Sequence, residues 1–371
     1  AKRAQNTAPV SLNHPPLVSV IVPVHNEEKG IVGTVEALLQ QDYPPNRYEL
    51  IFVDDRSTDQ TVPIIRETYH ELLNGSSFPS QGRRFFPPLK IILQEELLPG
   101  LSPKKSAVTR GIAEASGEVI ATTDGDSVPP QNWLSRLVSF LPGEGGMVVG
   151  QVRFAVSPKD PWWVHLQALD YQAQMVCAAG LVGVGLPMNC SAASLLYSKE
   201  SFERCGGFSR WGKQVSGDDD LLMQTMAELY PVVPAVGSEC VVSTQPPQSW
   251  RGLWHQRARW ASKVHRYSQP RKLLLGGVFA FYLNLALSPL WLLSPIGSYW
   301  VFGAWLGKMV LDLWVLRIGV HLFKDRLSWL YFLFAELLHP YFILGVTLKG
   351  RRGNFTWRQA AYRRGVVPSS L

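Results

Sequence analysis

Short apolar runs alternate with helical stretches between residue 17 and about residue 245. The apolar runs predict four strands, at 17–23, 48–55, 89–94 and 118–126. The stretches between them predict three helices, at 27–41, 58–73 and 104–115. Strands and helices in this alternating order are typical of a mostly parallel sheet with helices on both faces. We therefore expect an α/β fold for this part of the chain.

Acidic residues end two of the predicted strands. Asp54 and Asp55 close the second strand, and Asp124 and Asp126 flank Gly125 after the fourth. The carboxyl ends of parallel strands share one sheet edge, where ligands bind. An Asp-x-Asp pair there can hold a divalent metal while ligand phosphates complete its shell, although Asp-Gly-Asp is also a common turn sequence. Asp54 and Asp55 need hydrogen-bond donors, which a nucleoside base and its ribose supply.

Two further segments are expected at the same edge. Pro23, His25, Asn26 and Glu27 follow the first strand, either as strand-to-helix punctuation or as groups that contact a ligand. Lys104 begins a helix, where the helix dipole disfavours a cation. A nearby phosphate would explain this lysine.

Two motifs stand further along the chain. GDDD at 217–220 begins a helix; acids suit the dipole at a helix start, and a carboxylate there can instead act as a general base toward a sugar hydroxyl. In QRARW, the side chains of Gln256, Arg259 and Trp260 share one helix face. We interpret this helix either as a basic interfacial helix or as a clamp in which Arg259 binds phosphate.

The region 273–348 is the most apolar part of the chain. Residues 273–293 contain no charged side chain, and this length is sufficient to span a bilayer as a helix. Residues 294–316 carry Lys308 and Asp312 four positions apart, so the two can pair on one helix face. We expect three membrane segments. The third, 327–348, either spans the bilayer fully, which would put the basic tail outside against the positive-inside rule, or is re-entrant and broken near Pro340, which returns the tail to the cytosol; we favour the second arrangement.

The charge distribution agrees with a membrane protein. The chain has a formal net charge of +7, and its 18% charged residues fall below the roughly 25% usual for soluble domains. Basic residues without acids cluster at 251–272 and 349–371, beside the apolar region, as the positive-inside rule expects. No helix-turn-helix, zinc-finger or RNA-binding signature accompanies them, so nucleic acid is not an expected partner. The four cysteines form no CxxC pair, which argues against a zinc site.

The motifs PVHNEE, VDDRSTD, DGD, GDDD and QRARW stand in this order, followed by apolar segments. The series resembles the membrane-integrated family 2 glycosyltransferases: cellulose, chitin, hyaluronan and poly-N-acetylglucosamine synthases, and ceramide glucosyltransferase. Each motif is weak alone, whereas five in order across about 240 residues are specific. The resemblance implies a GT-A type nucleotide-sugar-binding domain with a mostly parallel sheet, followed by C-terminal transmembrane helices.

The resemblance also implies an inverting transferase with a UDP-sugar donor and Mg²⁺ or Mn²⁺. It assigns donor binding to residues at the sheet edge, namely Pro23, His25, Asn26, Glu27, Asp54, Asp55, Lys104 and Asp124. Asp124 and Asp126 match the metal-binding pair, and Gln256, Arg259 and Trp260 match the QxxRW motif beside the acceptor and the diphosphate.

The catalytic base falls on Asp219 by the same resemblance. Asp218 precedes it where the family has Glu, and a shift by one residue stays open because three acids are consecutive. The implied function is polysaccharide synthesis at the membrane, with a growing glycan as acceptor; the alternative is a single transfer to a membrane lipid. A nucleotidyltransferase would need neither QxxRW nor membrane segments.

The expected partners are the UDP-sugar, the glycan or lipid acceptor, the bilayer and an accessory subunit. We expect an integral protein of the cell inner or plasma membrane whose catalytic domain faces the cytosol. The predicted organisation is a linker at 1–16, a GT-A domain at 17–245, an interfacial amphipathic helix with QxxRW at 246–272, a transmembrane region at 273–348 and a basic tail at 349–371.

Overall fold

The computed structural model describes residues 14–74, 86–292, 294–324, 328–357 and 360–362. Most of the predicted linker at 1–16 and the end of the predicted tail at 349–371 lie outside the described residues. The bounds of the helices and strands given below all refer to the described part of the chain.

Two compact units divide the described residues. The first contains the residues up to Ala155 together with Ala178–Gln245, and the second contains Val156–Cys177 and the residues from Pro246 onward. Residues 156–177 were expected inside a single domain at 17–245, but they group with the second unit.

The strands are β1 (Val18–Val24), β2 (Tyr48–Asp54), β3 (Leu89–Leu93), β4 (Val119–Thr122), β5 (Ser127–Val128), β6 (Met147–Val149), β7 (Val152–Phe154), β8 (Leu195–Ser198), β9 (Val232–Pro234), β10 (Val242–Thr244), β11 (Phe355–Trp357) and β12 (Ala360–Tyr362). The α-helices are α1 (Ile31–Leu39), α2 (Thr61–Asn74), α3 (Pro103–Ala113), α4 (Trp133–Ser139), α5 (Trp162–Gly183), α6 (Lys199–Arg204), α7 (Asp220–Met226), α8 (Trp250–Ser262), α9 (Gln269–Ala286), α10 (Ser288–Trp291), α11 (Pro295–Phe323) and α12 (Trp329–Arg352).

A seven-stranded sheet with the order β3-β2-β1-β4-β8-β6-β9 organises the first unit. Strands β3, β2, β1 and β4 are parallel to one another, and β9 is parallel to β6. Strand β8 is antiparallel to both of its neighbours. The prediction of an α/β fold with a mostly parallel sheet is confirmed.

The central strands form because their apolar runs are covered on both faces of the sheet. Every residue of β1 and β2 is buried, and α3 packs against both strands. Val24 at the end of β1 pairs with Asp54 at the end of β2, so the acids of β2 reach the same edge as the loop after β1. This edge carries the candidate site.

Helices build most of the second unit. Helix α12 packs against α8 and α9, and β11 pairs with β12 in an antiparallel hairpin. The predicted apolar segment 273–293 is divided, because α9 ends at Ala286 and α10 begins at Ser288 with Pro289 in its first turn. Proline suits a first turn because the missing N–H has no intrahelical partner there.

The predicted break near Pro340 is wrong. Helix α12 continues through Pro340 to Arg352. An internal proline removes one backbone hydrogen bond, and the packing of α12 against α8 and α9 outweighs that loss. Proline position alone therefore did not determine where this helix ends.

Within the part of the chain that the structure describes, one helix, α12, is long and apolar enough to cross a membrane by length and composition. Large apolar side chains are exposed on α9, α11 and α12, among them Leu273, Tyr299, Trp300, Trp314, Leu330 and Leu337. Extensive exposed apolar surface marks a contact surface for lipid or for another protein.

Gly117 is a position where the fold leaves no room for a side chain. A Cβ there would lie 2.6 Å from the Ser19 nitrogen and 2.7 Å from the Leu17 oxygen, both backbone atoms of the first strand region. We expect Gly117→Ala to lower the free energy of unfolding by about 1–3 kcal/mol. Urea denaturation measures this loss against Gly143→Ala, whose added Cβ meets no atom within 4 Å. Equal stability of the two variants would contradict the prediction.

Candidate active site

The two acids at the end of β2 are buried and accept hydrogen bonds from neighbouring residues. Asp54 and Asp55 are each 5% exposed. Asp55 Oδ1 accepts hydrogen bonds from Gln94 Nε2 and Arg56 Nε, both at 3.0 Å. Asp54 Oδ2 accepts from the Ser57 N–H at 3.2 Å, whereas Asp54 Oδ1 is buried without a hydrogen-bond partner among the described residues. This oxygen can accept a hydrogen bond from a ligand.

The loop after β1 is bound to the loop after β2. Asn26 adopts a left-handed backbone conformation with φ of 55°, and its Oδ1 accepts from the Thr58 N–H at 2.8 Å. The Asn26 N–H donates to Ser57 Oγ at 2.9 Å, and His25 Nδ1 donates to the Asp55 carbonyl at 2.5 Å. His25 and Asn26 therefore already serve the loop structure, which is the simpler of the two interpretations offered for this segment.

Lys104 joins the strand-end acids to the acids of GDDD. Its Nζ lies 2.6 Å from Asp124 Oδ1 and 3.0 Å from Asp218 Oδ2. These residues and Pro23 line a small cavity of about 10 Å³. Burial alone would lower the pKa of Lys104, but the two carboxylates raise it above its ordinary value. The lysine at the helix start thus has carboxylate partners, so a phosphate is not needed to explain its position.

The three acids at 218–220 differ in their surroundings. Asp218 is 8% exposed and pairs with Lys104, and Asp220 is fully buried. Asp219 is half-buried, and its Oδ1 accepts from the Asp220 N–H at 2.7 Å as the N-cap of α7. Asp219 is therefore the most accessible of the three carboxylates.

The Asp-Gly-Asp turn is held tightly by its neighbours. A Cβ on Gly125 would lie 2.9 Å from Val24 Cγ1, and the Gly125 carbonyl accepts from Thr34 Oγ1 at 2.9 Å. Asp124 and Asp126 on either side are half-buried. Glycine is required because this turn packs against the end of β1.

The chemistry of this pair suits a hard divalent cation. Carboxylate oxygens are its preferred ligands, and Mg²⁺ commonly takes one or two carboxylates with the rest of its shell from substrate phosphates and water. Across the described ranges, no group of three or more His, Cys, Asp or Glu side chains gathers for a metal. The chemistry of Asp124 and Asp126 therefore fits a hard divalent cation whose remaining ligands come from phosphate and water.

The predicted residues of QRARW lie in the second unit, on α8. Gln256 and Trp260 are half-buried, and Gln256 Oε1 has no hydrogen-bond partner within the described part of the chain. The ring centroids of Trp260 and Tyr171 are 5.7 Å apart. All other predicted site residues lie in the first unit.

Two family models match this sequence. The model described as glycosyl transferase family 2 matches residues 19–206, and the model described as glycosyl transferase family group 2 matches residues 119–344. The chain belongs to glycosyltransferase family 2. Membership of family 2, which the motifs predicted, is thereby confirmed, whereas the membrane-integrated, synthase-like subtype stays a prediction.

Relatives within family 2 share about a quarter of their residues with this chain. The probable glycosyltransferase YdaM of Bacillus subtilis is 27% identical over 252 residues, which cover 66% of this chain and 54% of YdaM. A beta-monoglucosyldiacylglycerol synthase of a Nostoc species is 28% identical over 256 residues, which cover 66% of this chain and 48% of that enzyme. The chain spans about half the length of these curated relatives.

One solved structure aligns with nearly the whole chain. The mannosyltransferase PcManGT from Pyrobaculum calidifontis, solved in complex with GDP-Man and Mn²⁺, aligns with a TM-score of 0.54 at 19% identity and covers 94% of this chain and 92% of that one. The likeness shows a GT-A-like α/β fold, which confirms the predicted fold class.

Lys105 is a site-supporting residue of this family 2 chain that sequence reasoning missed. Its side chain is fully buried, and Nζ donates to the carbonyls of Trp211, Gln214 and Ser216 at 3.0, 2.6 and 3.2 Å. The segment that leads into GDDD is therefore fastened to α3 by one ammonium group. In the sequence, the only sign of this role was the position of Lys105 directly after Lys104.

We expect Lys105→Met to destabilise the first unit by about 3–5 kcal/mol, because three carbonyls lose their donor and each unsatisfied buried acceptor costs about 1–3 kcal/mol. Lys213→Met is the matched control, since Lys213 is exposed in the same segment. Thermal unfolding and limited proteolysis at 211–216 compare the two variants. A Lys105→Met protein that unfolds at the wild-type temperature would refute the anchoring role.

Proposed function

We propose that this family 2 glycosyltransferase transfers a sugar from a UDP-sugar to a hydroxyl acceptor with inversion at the anomeric carbon. The observation that carries the proposal is the Lys104 bridge between Asp124 and Asp218, with Asp219 beside it. This bridge brings the Lys104 ammonium group, the Asp-Gly-Asp turn and the candidate base Asp219 to the sheet edge where α/β proteins bind ligands.

Donor binding is proposed for the sheet edge. Asp54 Oδ1, which is buried without a partner among the residues described, would accept a hydrogen bond from the uracil or ribose, and Lys104 would contact the diphosphate. Asp124 and Asp126 would hold Mg²⁺ or Mn²⁺, which supplies positive charge to the leaving diphosphate. The roles of Gln256, Arg259 and Trp260 at acceptor and diphosphate rest on the family resemblance alone.

Asp219 is the proposed general base. Its carboxylate accepts the proton of the acceptor hydroxyl while that oxygen bonds to the anomeric carbon, and the bond from this carbon to the phosphate oxygen breaks to release UDP. The attack comes from the face opposite the leaving group, so one displacement inverts the configuration. Lys104 is a fixed positive charge for the diphosphate as it departs.

The acceptor is proposed to be presented at a membrane. The exposed apolar side chains of α9, α11 and α12, and the length of α12, support membrane attachment; the basic clusters support a cytosolic catalytic unit. A growing glycan and a lipid are both compatible acceptors. The similarity to a beta-monoglucosyldiacylglycerol synthase favours the lipid as the second candidate.

The base is tested with Asp219→Asn. Asparagine keeps the oxygen that caps α7, so folding and UDP binding should persist while transfer falls by about 10²–10³-fold. UDP release and UDP affinity are measured separately, with the exposed Asp42→Asn as control. Near-normal turnover of Asp219→Asn would move the base to another acid.

The metal is tested by chelation. We expect EDTA to reduce UDP release by at least about tenfold, and Mn²⁺ to restore it. Asp126→Asn should raise the Mn²⁺ concentration needed for binding in the presence of UDP, as measured by calorimetry. Unchanged UDP release in EDTA would remove the metal from the proposal.

The acceptor is tested by supplying membranes with a panel of UDP-sugars and Mn²⁺ and measuring the mass of the product. Chains of many sugars support the glycan acceptor. A single sugar added to a lipid supports the second candidate. No UDP release with any donor would overturn the proposed function.

A further inference from the structure

Asp170 on α5 forms a buried ion pair that neither the motifs nor the proposed function use. Its Oδ2 lies 2.7 Å from Arg257 Nη2, and the side chains are 12% and 3% exposed. Although burial alone raises it, Arg257 and His339 lower the pKa of Asp170 to about 2. The carboxylate is therefore ionised throughout the neutral range.

Arg257 connects this carboxylate to Trp260 of QxxRW. The Arg257 guanidinium lies over the Trp260 ring, 4.6 Å from its centroid, and Tyr171, the neighbour of Asp170 on α5, packs near the same ring. Arg257 is the arginine inside QRARW that the family motif leaves unassigned. Its planar group contacts an acid on one side and an aromatic ring on the other, as guanidinium groups do well and ammonium groups do not.

Asp170 has two more partners within the second unit. Gln174 Nε2 donates to Asp170 Oδ2 at 2.8 Å, and His339 Nε2 of α12 lies 3.3 Å from Asp170 Oδ1. His339 Nδ1 in turn lies 3.3 Å from the hydroxyl of Tyr282 on α9. One carboxylate thus links α5, α8 and α12 directly, and α9 through His339.

We propose that Asp170 is a positioning residue that acts through Arg257 to hold Trp260 and α8 in the orientation needed for transfer. The inference rests on the proposed function, because it takes Trp260 to act at the acceptor. A buried ion pair is weak evidence for stability but can select one arrangement among several. Here the arrangement selected is that of the tryptophan, since the arginine touches both it and the acid.

The first test separates catalysis from donor binding. We expect Asp170→Asn and Arg257→Gln each to lower kcat by about 10²-fold, because a small misplacement of a positioning group has effects of this size. UDP affinity should change less than about threefold, since the donor residues other than those of QxxRW lie in the first unit. The double variant should be no worse than either single one, because both remove the same contact.

Arg257→Lys keeps the charge but loses the flat group over the ring. It should retain more activity than Arg257→Gln and less than the wild type. Full activity of Arg257→Lys would mean that charge alone suffices and that the stacking on Trp260 is irrelevant, which overturns the proposal.

Glu336→Gln is the matched control for instability. Glu336 Oε2 and Lys308 Nζ form an equally buried pair at 2.7 Å between α12 and α11, with side chains 8% and 2% exposed. We expect it to lower the unfolding temperature as Asp170→Asn does, but to keep kcat. If both variants lose kcat in proportion to their stability, Asp170 has only a structural role and the proposal fails.

A second measurement does not depend on activity. Fluorotryptophan placed only at position 260 should give one ¹⁹F resonance in the wild type and in Glu336→Gln, and a shifted or split resonance in Asp170→Asn. An unchanged resonance in Asp170→Asn overturns the positioning role. A changed resonance in a protein that releases no UDP with any donor would support the positioning of Trp260 while rejecting the proposed function.

Discussion

A single ammonium group balances the charge at the sheet edge. Lys104 meets one carboxylate that follows β4 and another that precedes α7, two segments almost a hundred residues apart in the chain. Without that cation, two partly buried carboxylates would repel each other and each would lose hydration without compensation. The approach of these segments, and with it the position of Asp219, depends on this interaction together with the Lys105 hydrogen bonds to the segment before Asp218.

In both units, a buried basic side chain bonds to oxygen atoms of another segment. In the first, Lys104 and Lys105 leave α3 side by side, one toward carboxylates and one toward backbone carbonyls. In the second, Arg257 turns toward Asp170. Removing Lys104 or Arg257 leaves an uncompensated buried carboxylate, which is more damaging than the pair is stabilising. Removing Lys105 leaves three carbonyls without their donor. Residues next to the motif positions therefore matter as much to the site as the motif positions themselves.

The sequence predicted the strands of the parallel sheet well because buried runs such as those at 17–23 and 48–55 allow few alternatives. The acids at their ends followed from the rule that parallel strands finish at one edge. Lys105 and Asp170 could not be found this way, since their partners come from distant segments and are decided by packing. The continuous helix through Pro340 shows the same limit, because tertiary contacts override local preference.

The unpartnered Oδ1 of Asp54 also bears on which ligands the site would reject. Asp54 Oδ1 is a desolvated acceptor with no protein partner in the described chain. A ligand that covers this oxygen without donating a hydrogen bond leaves the acceptor unsatisfied, and that loss of free energy weakens its binding. Sites of this kind reject the analogue that lacks the group far more strongly than they reward the one that has it. Discrimination between nucleotides would then reside in one atom of the protein that forms no bond until the correct guest arrives.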